Sequence, residues 1–331
     1  MRAPRFLAAD SEGANPGEAE PSSFLLREFP GRLRPWDVHP PDAEILAFDR
    51  RLMAIHAHPD DEASKGSGTV PYYVAQGIRA SLVCCTGGEA GDILNEAMNH
   101  PEVRADLANV RMRELAESVD HNEYAVAYML GYRDSGMPDS HHNEHDEAFA
   151  QSPDREALAR LVAIVRAERP HVILGYDEHK MYPHPDHVKA HEITMAVWDA
   201  AADPDFSCEG IALGPPWEVQ RLYWFHWSVA RMKVMAEEMR RLGWESPFSK
   251  WADSRDNLDE RVTTRVDVGA YLERRRLSLL AHRTQIDPSS HWLRISDERV
   301  RELYPWEDYV LIRDRAGREI VELETDLFDG I

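Results

Sequence analysis

The sequence predicts an α/β fold in which a mostly parallel sheet carries helices on both of its faces. Apolar runs of strand length alternate with stretches of helical periodicity from residue 52 to residue 201, and this alternation is typical of βαβ units. The runs have the apolar character of strands that are covered on both faces. Two clusters of His and Asp directly follow two of these runs, at the sheet edge where ligands of such folds bind.

Five strands are predicted from apolar runs bounded by turn residues, at 52–56, 80–86, 125–130, 172–176 and 220–226. Helical periodicity predicts helices at 64–76, 103–119, 153–166, 188–201, 229–242 and 268–282. Pro71 predicts a kink or a late start in the first of these helices, and Gly77 is its expected C-cap. Ser152 is the expected N-cap of the helix that begins near Pro153.

The chain divides into three predicted segments. Residues 1–48 are rich in Pro, Glu, Ser and Ala, and they predict a flexible or loosely docked extension, with regular structure starting at the strand 52–56. Residues 49–214 form the predicted Rossmann-like core. Residues 215–331 have a less regular pattern, and we expect an α+β portion that completes the substrate pocket.

Composition excludes two classes of partner. With 38 Lys and Arg against 59 Asp and Glu, the chain has a formal net charge of −21, so it offers no basic surface to nucleic acid or to an anionic membrane. No apolar stretch approaches the roughly 20 residues that span a bilayer. Three cysteines, two of them adjacent at Cys84 and Cys85, do not make a disulfide framework and predict a cytoplasmic protein.

Two turns rich in His and Asp predict a metal site. His58-Pro59-Asp60-Asp61-Glu62 follows the strand at 52–56, and Tyr182-Pro183-His184-Pro185-Asp186-His187 follows the strand at 172–176. Zinc hydrolases use three protein ligands and keep a fourth position for water, and His58, Asp61 and His187 are the candidate ligands. Such a metal lowers the pKa of its water and polarises a carbonyl, so we expect hydrolysis of a small-molecule substrate.

The remaining polar residues of the two turns suit the other tasks of hydrolysis. Asp60 lies beside the ligand Asp61 but points elsewhere, so it is the predicted general base. His184 is placed to stabilise an oxyanion or to protonate a leaving amine, with Asp186 orienting its ring and Tyr182 donating a second hydrogen bond. The alternative interpretation is that the first cluster is a capped turn with surface carboxylates and that the second is a loop interrupted by prolines. The equivalent positions of the two clusters at the ends of two strands favour the metal site.

With these motifs, the sequence resembles the LmbE-like (PIG-L) family of zinc-dependent de-N-acetylases and amidases. The metal motifs that carry the likeness are His56-Ala57-His58-Pro59-Asp60-Asp61-Glu62 and His184-Pro185-Asp186-His187. It extends from about residue 51 to the C-terminus through Lys65-Gly66, Thr86-Gly87-Gly88-Glu89, Asp134-Ser135-Gly136-Met137-Pro138, Tyr176-Asp177-Glu178 and Ala281-His282-Arg283-Thr284-Gln285-Ile286-Asp287-Pro288.

The resemblance implies zinc ligands His58, Asp61 and His187, with Asp60 as general base and His184 as acid or oxyanion partner. It also implies the reaction of the family members that act on mycothiol S-conjugates. In that reaction the amide between an S-alkylated cysteine and glucosaminyl-inositol is hydrolysed, and a mercapturic acid is released for detoxification.

Lys65, Arg111 and Asp134 are the predicted substrate contacts. The resemblance implies that Arg111 and Asp134 bind the sugar and inositol hydroxyls, and Lys65 favours an amidase over a deacetylase. Alternatives remain open for each of them. Lys65 is otherwise a solvated residue near a helix start, Asp134 an Asx-turn residue before Gly136, and Arg111 the partner of Glu114 on a helix face.

Other polar residues have less definite roles. His282 and Gln285 either line the pocket or cap a helix. His141, His142 and His145 are expected to be a solvated loop rather than a second metal site. Two departures from the family pattern lie near the expected pocket, namely Ala90 after Gly-Gly-Glu and the segment 179–181 before Tyr182.

These departures leave the substrate less determined than the reaction. The alternative functions are deacetylation of N-acetylglucosaminyl-inositol, an antibiotic-pathway activity on a drug–thiol conjugate, and non-catalytic binding of sugars or thiol conjugates. A site of two His and one Asp with open positions also suits Fe(II) in place of Zn²⁺.

Overall fold

The computed structural model describes residues 29–178, 183–254, 257–318, 320 and 322–331. Within these residues the strands form one sheet in the order β1-β4-β3-β2-β5-β6-β8-β7. The strands are β1 (Leu33–Pro35), β2 (Arg51–His56), β3 (Arg79–Thr86), β4 (Val126–Tyr132), β5 (Val172–Gly175), β6 (Arg221–His226), β7 (Thr264–Asp267) and β8 (Trp306–Asp314).

The first six strands of that order are parallel to their neighbours, and only the pairings of β8 with β6 and β7 are antiparallel. The predicted fold class, a mostly parallel α/β sheet, is therefore confirmed. Every residue of β2, β3 and β5 is buried, which explains why these strands are continuous apolar runs in the sequence rather than alternating ones.

The helices are α1 (Asp42–Ile45), α2 (Asp61–Ser64), α3 (Thr69–Val74), α4 (Pro101–Ala105), α5 (Leu107–His121), α6 (Asp154–Glu168), α7 (Pro185–Ala200), α8 (Val229–Arg241), α9 (Pro247–Ser254), α10 (Leu272–Ala281) and α11 (Asp297–Leu303). None of the helices described is both long enough and apolar enough to span a lipid bilayer.

The connectivity places one crevice at the centre of the sheet. β2 lies between β3 and β5, and the chain moves from β2 to β3 and β4 on one side before it returns to β5 on the other. This reversal opens a crevice beyond the carboxyl ends of β2 and β5, where open α/β sheets bind their ligands. The two His- and Asp-rich turns follow these two strands.

Regular structure begins earlier than the sequence predicts. β1 pairs with β4, and its Leu33 is completely buried, although 33–35 lies in the segment expected to be loosely docked. Three residues are too few to show a period in the sequence. Residues 1–28 lie outside the described residues. At the other end, β7 and β8 were not predicted, and together with β6 they extend the same sheet.

One helix boundary agrees with prediction and one differs. The helix expected at 64–76 begins late, at Thr69 of α3, as one of the two alternatives for Pro71 predicts, and Pro71 lies in its first turn, where proline is tolerated, while α2 is a separate short helix that ends at Ser64. Ser152 is not the N-cap of α6, because Pro153 occupies that position and the Ser152 hydroxyl donates to the carbonyl of Phe149.

A buried ion pair ties the amino end of β3 to α6. Arg79 Nε lies 3.1 Å from Glu168 Oε2, both side chains are 2 % exposed, and the Tyr128 hydroxyl donates to Glu168 Oε1 at 2.7 Å. The pair fixes the layer of helices against the sheet on the side opposite to the crevice.

We expect Glu168→Gln to lower the free energy of unfolding by about 3 kcal/mol, because it leaves the Arg79 charge buried without its partner. Urea unfolding monitored by circular dichroism measures this change. Glu44→Gln is the matched control: Glu44 also contacts Arg79, at 3.4 Å, but its side chain is 56 % exposed, so the loss should stay below about 1 kcal/mol. Equal losses in the two variants would show that burial of the pair is unimportant.

Candidate active site

The turn after β2 separates the two adjacent aspartates. α2 begins at Asp61, and Asp60 before it has φ = 113°, in the left-handed region that only glycine adopts easily. Such a conformation costs about 1–3 kcal/mol and persists only where neighbours hold it. As a result the Asp61 carboxylate faces His58 and His187, whereas the Asp60 carboxylate pairs with Arg111.

One group of side chains has the geometry of a metal site. His58 Nδ1, Asp61 Oδ2 and His187 Nε2 lie 3.2 to 3.5 Å from one another, and all three residues are buried. A tetrahedral ion with metal–ligand distances of about 2.0–2.1 Å places its ligand atoms roughly 3.3–3.4 Å apart. Two imidazole nitrogens and one carboxylate oxygen therefore converge on a single point in the way that a zinc-like ion requires.

A second group shares His58 and lies on the other side of its ring. His58, Asp134, His184 and Asp186 also offer ligand atoms that lie close together. In this group, however, Asp186 accepts from the backbone N–H and the hydroxyl of Ser135, and Asp134 Oδ1 accepts from Gly136 N–H at 2.8 Å. These two carboxylates bind the loop after β4, whereas the ligand atoms of the first group have the mutual separations of a tetrahedral site, so the first group is the better candidate for the ion.

His58, which both groups share, has the surroundings of a metal-binding histidine whose second ring nitrogen contacts a carboxylate. His58 Nδ1 faces Asp61 and His187, and His58 Nε2 lies 3.1 Å from Asp186 Oδ2. Histidines that bind metals commonly donate their other N–H to a carboxylate, which fixes the ring. Burial lowers the pKa of His58, but Asp134, Asp186 and Asp61 outweigh it and raise that pKa well above its usual value, so the site favours positive charge here.

His184 is held by the start of a helix. α7 begins at Pro185, and His184 is its N-cap, with Nδ1 accepting from the backbone N–H of Asp186 at 3.2 Å. The Asp186 carboxylate was expected to orient this ring, but it binds Ser135 and His58 instead, because the first turn of α7 points it toward β4. Burial and the nearby His58 lower the pKa of His184, which favours a neutral ring that donates from Nε2.

Asp60 is held from α5 by Arg111. Arg111 is 3 % exposed, its Nη2 donates to Asp60 Oδ2 at 2.8 Å, and the same guanidinium donates to the carbonyls of Pro59 and Gly88. Arg111 does not pair with Glu114, whose carboxylate binds the backbone and hydroxyl of Thr284. Burial raises the pKa of the Asp60 carboxyl, and Arg111 only partly opposes this, a combination suited to accepting a proton.

The backbone of Asp60 is held by Glu62, a residue for which the sequence indicated no role. Glu62 Oε2 accepts from Asp60 N–H at 2.9 Å, and Glu62 Oε1 binds the Ser118 hydroxyl and His282 Nε2, the latter at 2.6 Å. Burial opposes the charge on both partners, but their attraction raises the pKa of His282 and lowers that of Glu62. His282 is the C-cap of α10, with its backbone N–H donating to the Leu279 carbonyl, so of the two alternatives the helix cap is confirmed, and its buried side chain supports the strained turn.

The predicted substrate contacts lie around this centre. Lys65 Nζ donates to Asp61 Oδ1 at 2.8 Å and stands over the Tyr176 ring at 5.6 Å, so it is not a freely solvated side chain. Asp134 is 2 % exposed, makes the expected Asx turn with Gly136 and also lies 3.5 Å from His58 Nε2. Tyr182 lies outside the described residues.

The sequence pattern indicated no role for Tyr176 either, although Tyr176 ends the apolar run that precedes the second cluster. Its ring stacks on His187 with centroids 4.5 Å apart and an angle of 10°, and its hydroxyl accepts from Ala57 N–H at 2.9 Å. The two turns are thereby aligned with each other. His141, His142 and His145 belong to neither group of candidate metal ligands among the described residues.

Comparison with known proteins identifies relatives across most of the chain. Residues 53–198 match the family model "PIG-L: GlcNAc-PI de-N-acetylase". The chain is 36 % identical over 296 residues to a 1D-myo-inositol 2-acetamido-2-deoxy-alpha-D-glucopyranoside deacetylase of Streptomyces avermitilis, a match that covers 86 % of this chain and 98 % of the relative. It is 35 % identical over 288 residues to a mycothiol S-conjugate amidase of Streptomyces coelicolor, with 85 % and 97 % covered.

Among solved structures, the N,N'-diacetylchitobiose deacetylase of Pyrococcus horikoshii has a TM-score of 0.56 and 20 % identity, and the match covers 87 % of this chain and 94 % of that one. The conserved protein TT1542 of Thermus thermophilus has a TM-score of 0.52 and 20 % identity, with 81 % and 99 % covered. At this identity the likeness shows a shared fold.

We expect Asp61→Asn to lower the affinity for zinc by at least about tenfold, because a neutral amide replaces a charged ligand, whereas Asp60→Asn should bind zinc as the parent protein does. Zinc affinity measured by competition with a chromophoric chelator tests both. The two residues are adjacent, so the pair is a matched comparison. Equal zinc affinity in Asp61→Asn and the parent would exclude the group of His58, Asp61 and His187.

We expect His282→Leu to lower the turnover number for amide hydrolysis by about tenfold or more with KM and bound metal unchanged, because the support of the Asp60 turn is lost. His282→Gln keeps an N–H donor toward Glu62 and should recover part of the loss. The neighbouring Arg283 side chain is 51 % exposed, so Arg283→Gln is the control and should keep full turnover. A loss of thermal stability alone, with turnover intact, would contradict this role.

Proposed function

The chain belongs to the PIG-L family of de-N-acetylases and is a hydrolase of amide bonds, and from this we propose that it is a zinc-dependent amidase of mycothiol S-conjugates. The bond cleaved would be the amide between the S-substituted cysteine and the glucosamine. The observation that carries the proposal is that the two adjacent aspartates of the turn after β2 have different partners. The Asp61 carboxylate contacts the imidazoles of His58 and His187, whereas the Asp60 carboxylate pairs with Arg111.

His58, Asp61 and His187 would hold the zinc ion, and their mutual distances fit it. Bound there, zinc would acidify a water molecule and polarise the scissile carbonyl. Fe(II) suits the same donors, so the proposal includes iron as the alternative metal.

Asp60 would take the proton from the attacking water. Its carboxylate is not part of the metal group, its pKa is raised by burial, and Arg111 and Glu62 fix its position. Arg111 has its donors on Asp60, Pro59 and Gly88, so we infer that it positions the base and these two loops rather than binding the sugar directly.

His184 would donate a hydrogen bond from Nε2 to the oxyanion of the tetrahedral intermediate, because its Nδ1 already accepts from the Asp186 backbone. Asp186 would act by orienting His58, and Tyr182 would add a second donor from the loop before α7. Lys65, beside Asp61, would bind the oxygen-rich acyl part of the substrate, and Asp134 would bind its hydroxyls from the end of β4.

The amidase and deacetylase activities differ in the small-molecule substrate that is hydrolysed. Relatives named as amidase and as deacetylase are almost equally similar to the chain. Lys65 favours the amidase reading, since a cation next to the metal group suits a bulky acyl group with polar atoms better than acetate. Ala90 and the altered segment 179–181 favour a second candidate, a drug–thiol conjugate, because they depart from the family pattern next to the two site motifs in the sequence.

Incubation of the zinc-loaded protein with a mycothiol S-conjugate and, separately, with N-acetylglucosaminyl-inositol tests the proposal. We expect kcat/KM for the conjugate to exceed that for the acetylated sugar by at least about tenfold, which corresponds to about 1.4 kcal/mol of transition-state binding. Amine release gives the rates, and mass spectrometry identifies the acid that is formed.

Asp60→Asn serves as the control for contaminating activity, because it should retain zinc and lose at least about a hundredfold in turnover. Release of acetate alone would show that the protein is a deacetylase of the same class. Full turnover by Asp60→Asn would remove Asp60 as the general base.

A further inference from the structure

Two arginines beyond the carboxyl end of β6, the buried Arg231 and the partly buried Arg275, differ from the other buried arginines. Arg231 on α8 is 7 % exposed, and Arg275 on α10 lines the same cavity. Among the residues that the structure describes, the other buried arginines have a carboxylate or a backbone carbonyl as acceptor: Arg51, Arg79, Arg111, Arg166 and Arg221. This contrast is unexpected in a chain with 59 acidic residues.

Neither of the two guanidinium groups has a hydrogen-bond acceptor among the described residues. The only partner of the Arg231 guanidinium there is the ring of Trp227, 4.8 Å away. The Nε of Arg275 is buried without an acceptor, and so is Nε2 of His291 in the wall of the same cavity. Buried donors are nearly always paired, so unpaired donors that line one cavity indicate a ligand that accepts hydrogen bonds.

The nearest carboxylates are occupied elsewhere. Glu307 and Asp297 act on Arg275 electrostatically, but Glu307 accepts from the residues at the start of α3, and Asp297 pairs with Arg276 at 2.9 Å. Burial and the neighbouring Arg231 lower the pKa of Arg275 to about 10. Two like charges in one cavity therefore lack an anion that would offset them.

The walls of the cavity are aromatic. Trp227 and Trp292 meet edge to face with centroids 5.4 Å apart, and Phe248 lies 6.0 Å from Trp292. The free space is about 30 Å³, which is enough for a carboxylate or for one or two water molecules but not for a ring. Guanidinium groups match the planar, bidentate geometry of a carboxylate.

The cavity is close to the active site. Trp227 directly follows β6, which neighbours β5 in the sheet, so the cavity opens at the same sheet edge as the metal group. Trp292 packs against the small cluster of Ala63, Leu279 and Ile286, and Ala63 belongs to α2, the helix that follows Asp60.

We propose that Arg231 and Arg275 form a binding site for a carboxylate group, enclosed by Trp227, Phe248 and Trp292. The carboxylate belongs either to the substrate or its acid product, or to a free small organic acid. This site does not depend on which amide the protein hydrolyses, because its ligand is defined by charge and size.

Titration of the full-length, zinc-loaded protein with formate tests the site, by isothermal calorimetry and by the fluorescence of the tryptophans. We expect saturable binding of formate and none of formamide, which has nearly the same size and shape without the charge. Arg231→Gln and Arg275→Gln should each weaken formate binding by about tenfold or more. Arg274→Gln is the control: Arg274 is exposed and pairs with Glu123, so this variant should bind as the parent does.

Further measurements distinguish the two sources of the carboxylate. If it belongs to the substrate or product, the released acid competes with formate, and Arg275→Gln raises KM for conjugates with an anionic substituent but not for neutral ones. If it is a free acid, formate binds and the released acid does not compete.

Should a Gln variant fail to fold, Arg275→Lys keeps the charge but loses the bidentate donors of the guanidinium group, and it should bind formate several-fold more weakly. The absence of saturable formate binding overturns the proposal. Formate affinity in the folded arginine variants equal to that of the parent overturns it as well.

Discussion

The structure around the crevice depends on the hydrogen bonds and positive charges that stabilise its buried carboxylates. Asp61, Glu62, Asp134 and Asp186 are all at most 6 % exposed and lie near one edge of the sheet. An ionised carboxylate is stable in such a place only if hydrogen bonds and positive charge replace the water it loses. Each of these carboxylates has its own donors, and the point shared by Asp61, His58 and His187 is where a divalent cation would supply the largest compensating charge.

The same requirement explains how adjacent aspartates differ in chemistry. The left-handed conformation of Asp60 turns its carboxylate away from the metal group, and such strain persists only because Glu62 and Arg111 hold the backbone and the side chain. Glu62 is in turn paired with His282 from the C-terminal part of the chain. Residues separated by more than two hundred positions therefore hold the Asp60 turn in place, and the C-terminal portion would support the proposed general base in this way.

The pair Arg231 and Arg275 presents the opposite situation, in which positive charge is enclosed without its counterpart. In both places an uncompensated buried charge indicates a partner of opposite sign. The two sites lie beyond the carboxyl ends of neighbouring parallel strands, β5 and β6. A substrate that carries both an amide and an anionic substituent would be recognised by both.

The sequence by itself determined the fold class, the central strands and the two clusters that follow β2 and β5. Continuous apolar runs and Pro-interrupted His/Asp turns are local signals, and they are visible without tertiary contacts. Only the tertiary structure decided that Asp186 supports His58 rather than His184, that Arg111 holds Asp60, and that Glu62 and His282 form a pair. The partners in these contacts are distant in sequence, and a short strand such as β1 has no period to detect. Their pairing depends on the sheet order and on burial, which local residue patterns do not encode.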